Sequence, residues 1–314
     1  MRTRQPKLDC AYGIDHYLAM RSRRREARQS IDRSAPQRLR AGTRLARRSP
    51  PGITVLSDAA GLRLLLRTFG TPALVDADRG SPRATRAKDL ALLIYLRVEH
   101  SRSCCRSRLA CLLWGEHPER KARHSLSQAL GRLREVLGED ALMIAGDSLA
   151  WHGRLPCDAV ELEAVLNGAA ESGVDLPAYT GDFVADLVLG RGAEDFAQWA
   201  DAKRAYYRLR AARWLDQRGE DAERRLAFGD ALQLGLRAVQ IEPLFEAGHR
   251  RVMRAWHAMG ERVLALQHYR GVVDRLETSI RAQPDPLTRA LAEVIDARPD
   301  PIAAPSSLAG TSPG

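Results

Sequence analysis

The chain has 314 residues and five cysteines, and carries 49 Lys and Arg against 39 Asp and Glu, a net charge of +10. That length suits two ordinary domains, each with its own core. No apolar run approaches the roughly 18 residues of a membrane span and the first 30 residues hold no secretory h-region, so membrane and secreted classes are set aside and a cytoplasmic location is expected.

Cys10, Cys104, Cys105, Cys111 and Cys157 form no C-x-x-C pair. An odd set with that spacing argues against both a disulfide framework and a zinc ribbon, so reduced thiols and no bound metal are expected. Charge is unevenly placed. Residues 1–50 hold 14 basic and 4 acidic side chains, residues 51–157 hold 16 and 11, and residues 158–314 hold 19 and 24. A case for nucleic acid must therefore rest on the middle segment and not on the total. The first 50 residues, with the run Arg21-Ser22-Arg23-Arg24-Arg25, read as a disordered basic arm. Two readings stay open for it: a non-specific phosphate contact, or a dispensable extension with the true start at Met20 or later.

From Gly61, the text Leu62-Arg63-Leu64-Leu65-Leu66-Arg67 and then Thr71-Pro72-Ala73-Leu74-Val75 predicts two short antiparallel strands broken at Gly70 and Pro72. Residues 84–98 predict a core helix with a broad apolar face. A second helix is expected over Arg106 to Trp114, ending at Gly115, and a third over Glu119 to Leu137, closed by Gly138. Short apolar runs at 141–144 and 149–151, joined across Gly146-Asp147-Ser148, predict a hairpin. Small sheet, three helices and hairpin is the order of a winged helix. Beyond Pro156 helical patterns take over to about residue 297, with a long helix from Glu194 to about Gln217. A weak 34-residue offset pairs Ala231-Leu232 with Ala265-Leu266 and Ala238 with Val272, although Leu226 stands where Gly260 does. The fold class is thus mainly α: a winged helix-turn-helix over 51–156, an all-α tetratricopeptide-like domain over 157–297, and a disordered tail over 298–314.

On a helical wheel of residues 119–137, Ala122, Leu126, Ala129, Leu130, Leu133 and Leu137 form one apolar stripe. The opposite side carries Lys121, His124, Gln128 and Gly131, flanked by Arg120, Ser127 and Arg132. Those types suit a major groove: Gln can bond an adenine edge, Arg guanine or phosphate, and Gly lets backbones approach. An amphipathic helix always shows some polar face, so the order of elements carries more of the case than the charges do. Asp147 at the hairpin tip opposes a strong wing contact, because a carboxylate there repels phosphate.

The text Arg106-Ser107-Arg108-Leu109-Ala110-Cys111-Leu112-Leu113-Trp114, then Ala122-Arg123 and Leu126 to Arg134, is followed by Tyr179-Thr180-Gly181-Asp182-Phe183, Trp199, Arg204, Pro243, Glu246, Met253, Gly260 and Tyr269. On these residues, over roughly 61–297, the chain resembles the SARP-type antibiotic regulatory proteins. That resemblance implies a winged helix joined to a bacterial transcriptional activation domain, binding to promoter DNA at repeats, recruitment of RNA polymerase, and homo-oligomers on DNA. The chain departs from the family pattern at Cys104-Cys105, where Ser or Thr is usual, which implies a weak N-cap and a helix prone to fray. It also lacks a G-x-x-x-x-G-K-[ST] loop, so no ATP-dependent switch or other cofactor is expected.

Eight histidines without H-E-x-x-H spacing, and no G-x-S-x-G elbow, leave catalysis without a seat. Tyr206, Tyr207, Trp114, Trp151 and Trp214 read as packing groups. Three readings remain: a DNA-binding regulator, an adaptor whose winged helix has lost DNA affinity, and a helical domain that takes a small effector.

Overall fold

The computed structural model describes residues 63–99, 103–153, 155–168, 176 and 179–297. The basic arm over 1–50 and the tail over 298–314 lie outside the described residues. Two compact units emerge, dividing at Trp214 and Leu215. Strand patterning ends at residue 156, but packing crosses that point.

In the first unit, β1 (Leu64–Arg67) pairs antiparallel with β2 (Ala73–Asp76), Leu64 opposite Asp76 and Arg67 opposite Ala73. Both strands were expected. The other edge of β1 was not: Leu66 N–H donates to Pro156 O (2.8 Å), Val184 N–H to Thr68 O (2.7 Å) and Gly70 N–H to Asp182 O (2.9 Å). Asp158 ties this edge to the helix that follows, accepting from Thr68 N (2.8 Å), Phe69 N (3.1 Å) and Thr68 Oγ1 (2.5 Å). Those bonds satisfy a strand end that the two-stranded sheet leaves open, which is why residues 155–158 and 182–184 pack with the winged helix.

The helices α1 (Ala87–Val98), α2 (Arg106–Trp114) and α3 (Glu119–Leu137) follow, the last two with the ends read from the sequence. α1 begins three residues late because Arg86 is extended (ψ 141°). It is the core helix, with Leu90 to Leu96 and Val98 all buried. After α3, β4 (Leu142–Ala145) and β5 (Ser148–Trp151) form the expected hairpin, and β3 (Cys104–Cys105) pairs with β5 to complete a sheet of order β3-β5-β4. Gly146 sits at φ 59° in the first turn position, which a two-residue hairpin gives to glycine. α4 (Asp158–Leu166) and the start of α5 (Glu194–Arg224) close the unit. An aromatic cluster packs there: Phe69, Tyr179 and Phe183 from the loops and Tyr207 from α5 lie at centroid distances of 5.0 to 5.8 Å. Of the tyrosine pair only Tyr207 is core; Tyr206 is 40% exposed.

The second unit takes the end of α5, then α6 (Phe228–Ile241), α7 (Glu246–Ala258), α8 (Arg262–Ile280) and α9 (Pro286–Ala297). α6 packs on α7, α7 on α8, and α9 on both α7 and α8. Backbones approach closely at Gly235 and Gly248, where an added Cβ would lie 3.0 Å from Val252 and 3.0 Å from Val239. Ala231, Leu232, Ala238 and Ala265 are fully buried and Val272 is 2% exposed, so all the positions matched at the 34-residue offset but the half-buried Leu266 lie in the core.

The mismatch in that offset has a backbone meaning. Leu226 (φ 58°) takes the same left-handed conformation as Gly260 (φ 83°), each ending the first helix of a pair. A leucine there strains against its own Cβ and leaves its side chain 74% exposed. Leu226→Gly is expected to stabilise the unit by about 1 kcal/mol in urea unfolding; an unchanged or lower midpoint would show that the strain is relieved elsewhere.

Candidate nucleic-acid interface

α3 buries the expected stripe: Ala122, Leu126, Ala129, Leu130, Leu133 and Leu137 are each at most 4% exposed. An apolar row at this spacing leaves the opposite face to solvent, and Arg120, Lys121, His124, Ser127, Gln128 and Gly131 are all exposed there. Of the seven candidates, six therefore share one open face. Arg132 stands apart: its guanidinium forks onto Asp89 of α1, Nε to Oδ2 at 2.7 Å and Nη2 to Oδ1 at 2.8 Å, and the Asp89 side chain is only 5% exposed. A buried carboxylate that loses its cation is costly, so Arg132 is held as a structural clamp between α3 and α1.

Beside the face lie groups that the helical wheel did not select. Arg106 Nη2 donates to Ser127 Oγ (2.9 Å), and Ser127 Oγ donates to Arg123 O (2.9 Å). Arg123 Nη2 donates to Ser107 Oγ (2.5 Å) and pairs with Glu119 at 3.1 Å. Arg106 and Arg123 thus bring two further cations to the edge where α2 meets α3. Arg106 was visible only as text of α2, and Arg123 falls between the two faces of the wheel; only the helix crossing brings them together.

The Asp147 carboxylate turns toward α2. It accepts from Cys105 Sγ (2.7 Å) and Ser107 Oγ (3.4 Å), while its carbonyl accepts from Arg106 N–H (2.8 Å). The Cys105 bond, and then Arg123 and Arg106, hold its carboxyl below the usual carboxylate range. This revises two expectations. The start of α2 has no side-chain cap of its own at Cys105, yet the hairpin supplies the missing acceptor and a negative charge at the helix N-terminus. The charges of Arg123 and Arg106 nearby also offset that of the carboxylate, which weakens its repulsion of phosphate.

Residues 160–296 match the family described as bacterial transcriptional activator domain. That match spans 137 of the chain's 314 residues. The winged helix lies ahead of the matched residues, the order of elements that the SARP resemblance implies. No curated protein matches the chain. Among solved structures, one of Mycobacterium tuberculosis EmbR in complex with a low-affinity phosphopeptide is similar, with a TM-score of 0.53 and 20% identity, over 76% of this chain and 66% of that one. At that identity the likeness concerns the fold, and this chain spans just under two thirds of the EmbR chain. Within the described residues, no helix is long and apolar enough to cross a membrane.

Proposed function

We propose that this chain is a sequence-specific DNA-binding transcriptional regulator: a cytoplasmic activator that binds promoter DNA repeats as a homo-oligomer and recruits RNA polymerase. α3 enters the major groove, Arg120, Lys121, His124, Gln128 and Gly131 face base edges and phosphates, and Ser127 with Arg106 and Arg123 lines the rim. The observation that carries this reading is the exposed Arg120 to Gly131 face of α3, beside a hairpin whose acidic tip is turned toward α2. The adaptor reading drew its support from that tip, and the activator domain favours a regulator over it.

Selection of bound fragments from a genomic library by the full chain, in about 150 mM salt, tests the reading, because non-specific phosphate binding is largely suppressed there. Enrichment of a few promoters sharing a repeated motif, lost in the Arg120→Ala, Lys121→Ala, Gln128→Ala triple variant with unchanged melting, is expected. Recovery of bulk DNA alone would overturn it and leave the adaptor.

A further inference from the structure

Polar side chains on the α3 face differ in how far their orientation is fixed. The Ser127 hydroxyl is occupied, accepting from Arg106 and donating to the Arg123 carbonyl. Arg132 is spent on Asp89. His124 and Gln128, one helical turn apart and both exposed, are joined to each other: Gln128 Nε2 lies 3.0 Å from His124 Nε2. An amide nitrogen can only donate, so the imidazole Nε2 accepts and the ring carries its proton on Nδ1. A primary amide has two N–H groups. With one committed to His124, the free end of Gln128 presents the other N–H and Oε1 side by side, in an order the ring has fixed.

A donor beside an acceptor, held in that order, complements one base edge in the major groove. Adenine offers an N7 acceptor next to an N6 donor, whereas guanine offers two acceptors, and thymine and cytosine each one polar group. An amide free to rotate could turn both N–H groups toward guanine. One tied to an acceptor-only nitrogen cannot.

The geometry points to adenine as the base read by Gln128, with His124 as the positioning residue that sets the amide's orientation. This rests on the DNA-reading role proposed above for α3.

Selection of binding sites from a randomised duplex pool, with the full-length chain and variants at these two exposed positions, tests it. The unmodified chain is expected to fix an adenine at one position of each repeat, preferred about tenfold to a hundredfold. Gln128→Glu, an acceptor-only side chain, is expected to move that position to cytosine, whose N4 donates. His124→Ala is expected to relax the adenine preference several-fold while neighbouring positions and the melting curve stay put. His124→Lys, a donor in place of an acceptor, is expected to turn the amide over and favour guanine. If the unmodified chain fixes a motif but Gln128→Glu leaves every adenine in place, the assignment of the base is overturned. If Gln128→Glu shifts the base while His124→Ala leaves the preference sharp, the positioning role of His124 is overturned. A pool that yields no motif with the unmodified chain instead refutes DNA reading itself, a result distinguishable from both.

Discussion

Gly219→Ala is expected to destabilise the C-terminal helical unit by about 3 kcal/mol, although Ala in place of Gly inside a helix ordinarily gains about 1 kcal/mol. Gly219 lies in α5 directly against the Arg251 side chain. A Cβ built there would stand 2.2 Å from Arg251 Cδ and 2.7 Å from Nε. Arg251 is 3% exposed and holds two carboxylates, Asp216 through Nε at 2.6 Å and Glu223 through Nη1 at 2.7 Å. Moving the guanidinium aside leaves both carboxylates, themselves only about one fifth exposed, without their cation in a poorly solvated site. Urea unfolding measures the effect. Gly229→Ala is the control, because a Cβ there meets nothing within 4 Å and should be neutral or mildly stabilising. In an Arg251→Met background the Gly219→Ala penalty should shrink by more than half; an undiminished penalty would place the clash elsewhere.

Acidification is expected to weaken the same unit well above the carboxylate range. His249, 3% exposed on α7, donates Nε2–H to Pro243 O (2.9 Å), which leaves Nδ1 to accept from His268 Nε2–H of α8 (2.9 Å). Each ring is held neutral by that chain, since a second proton on His249 would face the donor of His268. Burial is the first cause lowering both, with Arg275 adding to each; Glu246 works the other way on His249, and the neighbouring His249 further lowers His268. His268 is pushed down to about 3. A depressed histidine pKa means that the unfolded chain takes up protons from about pH 6.5 downward while the folded one does not. Stability is therefore fully present at pH 7 and falls by about 1.4 kcal/mol per pH unit for each ring kept neutral. Between pH 7 and 5.5 the unfolding free energy should drop by roughly 1 to 3 kcal/mol, and His268→Gln should flatten that slope. A slope as steep in the His249→Gln, His268→Gln variant as in the parent would exclude the pair as its source.

Most elements of the winged helix could be read from local signals. Pro118 and Gly138 bracket α3, Gly146 turns the hairpin, and the stripe from Ala122 to Leu137 sets which way α3 faces. These depend on steric and hydrophobic preferences that act over a few residues, so sequence alone specifies them. The 34-residue offset was faint for the same reason that it was right: small buried residues recur at helix crossings, while the exposed positions between them are free to vary.

Other features could not be read locally, because their partners lie far apart in the chain. Arg132 looked like a base reader on the wheel, and only the packing of α1 against α3 brings Asp89, 43 residues away, under its guanidinium. Cys105 looked like a missing cap until the hairpin brought Asp147, 42 residues on, to the same helix end. The edge of β1 is completed by Pro156, Asp158 and Val184, in a stretch without strand patterning, because a lone backbone bridge needs no alternating side chains. The sequence by itself determined the three helices of the winged helix, its first two strands, its hairpin and which face of α3 is open, but not the short strand β3 at Cys104–Cys105, which pairing with β5 creates. The tertiary structure decided which polar groups on that face are already spent, since a charge is used up by whichever opposite charge folding places beside it.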